Sequence, residues 1–334
     1  ILAAEEAKAA AYALGAEPAT VAATAQTAIR AATQGRGGGR LVTQAQSVTA
    51  ALQSFEKAIA ARKGQGESPA VPTGWQALDR QLQGGWRKVY GVIGARPSMG
   101  KTSFAMDAAE AAARFGGAAV LVVSLEMDHD ALSLRRIAAA SGVNGYALQT
   151  GDVDGMAISR VTRAAGPLMK LPIWYHDTSP RLDTILGVIR SWAADPDAAG
   201  GFDRRLVVVD YAGLVDYESA RRSSNREQDV SHISRSLKAV QPEIGASLLC
   251  LSQLNRDLEK RGNKRPMLSD LRESGSLEQD ADVIAFIYRD EVYNDASADK
   301  GTAEIIVAKQ RNGPIGTVRL GWDAPRTRFV ELTQ

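Results

Sequence analysis

An α/β fold with a mostly parallel, twisted sheet, flanking helices and a helical appendage at its N-terminal end is what this sequence predicts. Three observations carry the prediction. From about Pro72 onward, short β-rich runs alternate with helix-like segments. One of those strand-to-helix junctions holds a Gly/Lys loop of phosphate-cradling type. Upstream of Pro72 the chain changes character, being rich in Ala and Gly and interrupted twice. Strands alternating with helices imply right-handed crossovers and hence parallel pairing.

In chain order, residues 1–34 are Ala-rich and broken near Gly15–Pro18, which predicts two short helices. Gly35 to Arg40 reads as a flexible linker by composition. Val48, Leu52, Phe55 and Ile59 recur at four- and three-residue steps, the apolar face of one helix that needs another surface to dock on. A second break from Lys63 to Pro69 separates it from the rest. The expected segments are therefore 1–34, a linker and helix over 35–70, and one large domain over 71–334.

Within that domain the strand-like runs are Val89–Ile93, Ala119–Ser124, Leu206–Asp210, Ser247–Ser252, Val283–Tyr288 and Ile305–Ala308. Helices are expected over Lys101–Arg114, Leu132–Ala140, Thr184–Trp192 and Val230–Gln241. The closing runs Thr317–Leu320 and Arg328–Leu332 read as an antiparallel finish.

The 334 residues are 45% hydrophobic and 23% charged, enough to bury a sizeable core. With 40 Lys and Arg against 38 Asp and Glu, the formal charge is +2, so any nucleic-acid partner must be held by local basic clusters. A single cysteine, Cys250, excludes an intramolecular disulfide and fits a reducing compartment. No run approaches the roughly 18 apolar residues of a membrane span, so a soluble, cytoplasmic protein is expected. His129, His176 and His232 have no ligand-spaced neighbours, which argues against a zinc site.

The loop after the first β-rich run reads Gly94-Ala95-Arg96-Pro97-Ser98-Met99-Gly100-Lys101-Thr102. Strand before and helix after are the context a P-loop requires. Backbone N–H groups between Ala95 and Ser103, at every position but Pro97, offer a triphosphate cradle. Lys101 supplies a charge to the outer phosphates, and Thr102 can ligate Mg²⁺. The strict spacing puts Ala95 where the motif has its first glycine. Asp210, closing the apolar run Leu206–Asp210, is the candidate second magnesium-side group. Glu126 lies just past a strand expected to neighbour the P-loop strand, where a carboxylate can take a proton from attacking water. A solvent-facing glutamate capping the next helix together with Asp128 fits the same residues.

Several blocks together resemble the DnaB-type helicases. They are Thr73-Gly74-Trp75 with Leu78-Asp79, the P-loop, Ser124-Leu125-Glu126-Met127, Asp210-Tyr211 and Leu251 through Arg256. The more specific blocks are Asp270 through Asp282 and Lys309 through Thr317. The resemblance covers roughly Arg40 to Thr333. It implies an ATP- and Mg²⁺-dependent RecA-like core assembling as a homohexamer around single-stranded DNA, with primase and a helicase loader as further partners. Glu126 would be the catalytic carboxylate and Gln253 the γ-phosphate sensor. Arg272, Glu273 and Gly275 would contact the DNA backbone, and the helix around Val48–Ile59 would pack on the adjacent subunit. The family's globular domain ahead of that helix is longer than residues 1–34.

Lys309 and Arg311 follow a strand two residues apart, so both can aim at one anion. With Lys101 already in the chain's own P-loop, a neighbour's γ-phosphate is the favoured target over a solvated basic turn. Two polar, basic segments are candidate DNA loops: Asp216–Gln228, with Arg221 and Arg222, and Arg256–Ser276. Few aromatics interleave them, so phosphate contacts should dominate. A filament-forming RecA/RadA-like recombinase shares the core, but the Ser124–Met127 and Lys309–Pro314 blocks argue against it. A non-hydrolysing scaffold would lack Lys101, Asp210 or Glu126, and all three are present.

Overall fold

The strands at the heart of the molecule are continuous apolar runs, as expected where both sheet faces are covered. β1 (Tyr90–Ala95), β2 (Ala119–Ser124) and β6 (Val283–Tyr288) are buried at every position. In the computed structural model, which describes residues 41–63, 65, 68–210, 212–216 and 226–332, they belong to one nine-stranded sheet. The helices expected within 1–34, the linker from Gly35 to Arg40, and Arg221 and Arg222 lie outside the described residues, as do the side chains of Arg272 and Glu273. The chain divides into two compact units, 1–67 and 68–334.

In the first unit, α1 (Gln44–Arg62) carries the expected apolar row, with Val48, Leu52, Phe55 and Ile59 exposed.

In the second, β3 (Ile173–His176), β4 (Arg205–Asp210), β5 (Ser247–Gln253), β7 (Thr302–Gln310), β8 (Gly316–Asp323) and β9 (Arg328–Val330) complete the sheet, in the order β3-β2-β4-β5-β1-β6-β7-β8-β9. The pairings from β3 to β6 are parallel, and those from β6 to β9 antiparallel. The antiparallel section therefore begins one strand earlier than the closing runs suggest. β7 alternates buried and half-buried positions, which marks a strand covered on one face only.

The helices are α2 (Gln76–Gln81), α3 (Lys101–Arg114), α4 (His129–Ser141), α5 (Gly145–Thr150), α6 (Gly155–Leu168), α7 (Leu182–Ala194), α8 (Arg226–Ile244) and α9 (Gly275–Asp280). One core layer gathers Trp75, Met99, Phe104 and Phe329 with the alanine face of α3. The other gathers Ile185 and Ile189 of α7 and Leu237 of α8 with Phe286. Trp75 stacks on Phe104 with centroids 4.7 Å apart, and Phe329 meets both edge-on. Such geometry adds to the area these rings bury.

The four long helices expected within the sheet domain fall where the sequence puts them, the first with the expected bounds and the other three extended at both ends, Val230–Gln241 becoming Arg226–Ile244. β3, α5 and α6 have no counterpart in the sequence reading. β3 is a four-residue edge strand, and α6 is announced only by its cap, Asp154 Oδ1 accepting from Ala157 N at 2.6 Å. Among the described residues no helix is long and apolar enough to cross a membrane.

Candidate active site

β1 ends at Ala95, and the chain turns through Arg96–Gly100 into α3. Ser98 and Gly100 hold positive φ, +66° and +94°. Gly100 is favoured there by its conformation, and a Cβ would lie 3.0 Å from both Phe329 and Trp322, pressing on the two rings. Ala95, by contrast, is extended strand paired with Gln253 and Ile287. That position does not need glycine's freedom, which is why the departure from the strict motif leaves the loop intact. No side chain caps the N-terminus of α3, leaving its first N–H groups directed at the cradle.

Above this cradle three side chains meet. The Thr102 hydroxyl donates to Asp210 Oδ2 at 2.6 Å, Lys101 Nζ lies 3.2 Å from Asp210 Oδ1, and Glu126 Oε2 is 4.0 Å from the same ammonium. Asp210 is 2% exposed, whereas the Glu126 side chain is 53% exposed and open to solvent.

The expectation that Glu126 follows a strand adjacent to the P-loop strand is wrong. β4 and β5 lie between β2 and β1. Glu126 reaches the site because α3 leaves β1 and leans across β5, bringing Thr102 and Lys101 to Asp210 at the end of β4. The loop after β2 is drawn the same way, with Leu125 N donating to Asp210 O at 2.7 Å. Ser124 Oγ then closes the turn onto Met127, donating to its carbonyl at 2.5 Å. Asp128 alone is the helix cap, accepting from Ala131 N at 2.7 Å, so the capping reading of Glu126 does not hold.

Do these residues fit a magnesium nucleotide? Asp210 Oδ1 is buried and makes no hydrogen bond among the described residues, although it touches Lys101. The contact is therefore an ion pair without an aligned proton, and a lone pair remains for a hydrated cation beside the Thr102 hydroxyl. A buried carboxylate oxygen in that condition is costly unless a ligand completes it. The donor set fits.

Two of the run expected to contact nucleotide can do so through backbone alone. Met99 is buried in the core. The Arg96 guanidinium is 8% exposed and turned aside, bonded to Glu259 Oε1 at 2.7 Å and to Leu254 O at 2.8 Å. Pro97 and Ser98 are exposed at the apex, and Ser103 is buried at the start of α3.

Sequence reasoning misses Arg289, at the end of β6. Its Nη1 donates to Ser98 O at 3.0 Å, while Nη2 pairs with Glu291 at 2.5 Å and the guanidinium lies 4.3 Å over the Trp322 ring. It clasps the strained apex of the loop. The available signal is a cation directly after an otherwise apolar strand. It also misses His129 as a support for the Glu126 loop. Its Nδ1 lies 2.8 Å from Asp177 Oδ2, which also accepts from His129 N at 2.9 Å. That hydrogen bond, with the charges of Asp130 and Asp177, raises the His129 pKa, and the same bond lowers that of Asp177.

Gln253 ends β5 directly beside Ala95, exposed at the mouth of the loop. Lys309 and Arg311 lie at the other end of the strands. Lys309 pairs in register with Ile284 near the start of β6, and Arg311 N donates to Asp282 O. β1 and β6 run parallel, so these cations are separated from the P-loop end by the length of β1, about 17 Å. Lys309 Nζ is 2.6 Å from Glu278 O, and Arg311 Nη1 is 3.0 Å from Asp282 Oδ1. The strand ends at Gln310, yet both cations point towards residues 278–282.

The segment holding Arg272 and Glu273 is a 3₁₀ helix, Leu268–Ser274, rather than an open loop, and it continues into α9. Gly275 has ordinary helical φ, and a Cβ there would meet nothing within 4 Å. Nothing in the chain's own described packing demands glycine at that position. Most of the other basic residues of this segment are paired: Lys260 with Asp257, Arg261 with Asp270 and Arg265 with Glu304.

Residues 70–331 match the DnaB-like helicase C terminal domain family. The replicative DNA helicase DnaB of Geobacillus stearothermophilus is 40% identical over 282 residues, covering 84% of this chain and 61% of that protein. The replicative DNA helicase DnaC of Bacillus subtilis is 38% identical over the same length, again covering 84% of this chain and 61% of the relative. Among solved structures, a DnaB-like replicative helicase, studied for its interactions with primase, gives a TM-score of 0.75 at 33% identity, covering 99% of this chain and 76% of that one. A separately solved ATPase domain superposes with a TM-score of 0.78 at 33% identity, covering 88% of this chain and all of the other. The chain spans about three fifths of the length of the two curated relatives. With its RecA-like sheet, its nucleotide cradle and this match across the whole sheet domain, the chain belongs to the DnaB-like helicase C-terminal domain family.

Proposed function

We propose that this chain is the motor of an ATP-driven replicative DNA helicase, a homohexameric ring that translocates on single-stranded DNA and unwinds duplex at the fork. The observation that supports it most strongly is the separation of the two cationic groups. Lys101 stands in the P-loop, whereas Arg311 and Lys309 occupy the opposite end of the strands, beyond reach of their own cradle. Side chains so placed can serve a phosphate only on another copy, and head-to-tail contacts of that kind form rings where the rotation closes and filaments where it does not.

In this reading the P-loop N–H groups and Lys101 hold the triphosphate, and Glu126 orients water and takes its proton. Thr102 and Asp210 would hold Mg²⁺, which when bound neutralises phosphate charge. The neighbour's Arg311 and Lys309 stabilise charge developing on the transferred phosphoryl group. Gln253, beside Ala95, reports the phosphate state to the 3₁₀ segment downstream. Arg272, Glu273 and Gly275 contact the DNA backbone, with Arg221 and Arg222 as further phosphate contacts. The free space at Gly275 suits a close backbone approach by a strand.

The division into 1–34, 35–70 and 71–334 belongs to the same proposal, with α1 docking its apolar face on an adjacent subunit. So do primase and a helicase loader as partners, and action in the cytoplasm. The test is strand separation of a forked duplex by the full chain with ATP and Mg²⁺, paired with electron microscopy. ATP-dependent unwinding by closed six-membered rings is expected. Open filaments on DNA, with no unwinding, would contradict the proposal.

A further inference from the structure

Asp282 sits where three donors converge. Its Oδ2 accepts from Tyr90 N at 2.9 Å and from Lys238 Nζ at 2.5 Å, and its Oδ1 accepts from Arg311 Nη1 at 3.0 Å. The carboxylate is mostly covered, at 14% exposure, while Arg311 is 58% exposed. Four residues earlier in the chain, the last turn of α9 offers its terminal carbonyls, and Lys309 Nζ takes those of Glu278 and Gln279. A cation at a helix C-terminus is favoured by the unpaired carbonyls and the helix dipole. Both members of the trans-acting pair are thus held by one short stretch, 278–282, within and just past the helix that the proposed DNA contact at Gly275 opens.

We propose that Asp282 is a positioning residue for the trans-acting pair: it holds Arg311 back on its own subunit until a shift of α9 releases it towards the neighbouring nucleotide. The inference rests on the reading of Arg311 as acting in trans. A carboxylate and a phosphate compete for the same guanidinium, and a partly exposed ion pair is weak enough to exchange between them. Movement of α9, which carries the carbonyls of Glu278 and Gln279 and leads into Asp282, loosens both grips at once. DNA bound at one end of this helix would thereby raise hydrolysis at the adjacent subunit's site.

Asp282 and Lys238 give variants of opposite sign. In Asp282→Asn the hold on Arg311 loses its charge, so DNA-free ATP hydrolysis by the full chain should rise about two- to fivefold, the range of such a pair. Stimulation by single-stranded DNA should shrink by the same factor. In Lys238→Met a competing donor is removed, Arg311 is held more firmly, and the DNA-free rate should fall while the DNA-saturated rate stays closer to wild type. The double variant Asp282→Asn/Arg311→Ala should show no rise, because the released group is gone.

Melting temperatures establish that each variant is folded, and if Asp282→Asn is not, Lys238→Met decides alone. Folded variants with unchanged DNA-free rates and unchanged stimulation would overturn the role of Asp282. So would a DNA-free rate that falls in Asp282→Asn or rises in Lys238→Met. Normal hydrolysis by Arg311→Ala alone would instead remove the trans-acting reading beneath it, a distinguishable failure.

Discussion

The two ends of the parallel sheet differ in how complete they are. At the carboxyl ends of β1, β4 and β2, one chain assembles its own cradle, lysine, hydroxyl and two carboxylates within hydrogen-bonding or ion-pair range. At the amino end of β6 the same chain presents two cations on its own carbonyls and on one carboxylate. The first end carries Ser98 at positive φ in the phosphate loop, with the apex clasped by Arg289. On the proposed reading, the contrast teaches that a cation placed at the far end of its own sheet serves a site on another copy.

The largest effect that sharpens this contrast is expected from Glu126→Gln. The amide keeps the shape but cannot accept water's proton, so turnover should fall roughly 10²- to 10⁴-fold. Nucleotide binding, followed by fluorescence titration, should change little, since Glu126 is 4.0 Å from Lys101 and exposed. Unchanged turnover would hand the base to another group.

Next is Arg289→Ala, which removes a buried guanidinium and with it the partner of Ser98 O and Glu291. A cost of about 2–3 kcal/mol is expected in thermal or urea unfolding. Nucleotide affinity should also weaken, because the apex of the cradle loses its clasp. Loss of stability with undisturbed nucleotide binding would make Arg289 a packing residue only.

The smallest effect belongs to His129, whose raised pKa comes first from its bond to Asp177. A group with a folded pKa above its unfolded value stabilises fully below the unfolded value, about 6.5, and that contribution is lost as pH rises through the folded value. Asp177, with a lowered pKa, contributes above its unfolded value of about 3.9 and loses its share as pH falls through its folded value. Wild type should therefore lose a little stability relative to His129→Gln as pH rises past neutrality. Unfolding curves of the two proteins running parallel across that range would remove the clamp on the Glu126 loop.

Continuous apolar strands and the Ala-rich helix after the P-loop are readable from sequence because burial on both faces imposes composition directly. The P-loop lysine, threonine and Asp210 are readable because each sits at a strand or helix end. Sheet order is not, since sequence does not say which strands lie between β1 and β2. That is why Glu126 is expected beside the cradle, where it lies 4.0 Å from Lys101, on the strength of a wrong neighbour. Edge elements such as β3 and α6 escape notice, being short or signalled by a single cap. Arg96 and Arg289 show a further limit: residue type announces a cation, while only packing reveals that one is turned to Glu259 and the other to a carbonyl of the phosphate loop.

If each hydrolysis site is shared between copies, two defective proteins should complement one another when mixed. Lys101→Ala and Arg311→Ala should each be nearly inactive as ATPases in the presence of single-stranded DNA. Mixed one to one, up to about a quarter of interfaces would pair an intact P-loop with an intact neighbouring arginine, since each partner is correct half the time in a head-to-tail assembly. Recovery of hydrolysis in the mixture is the predicted result. Two inactive proteins that stay inactive together, although shown by light scattering to co-assemble, would contradict the shared site, as would full activity of Arg311→Ala on its own.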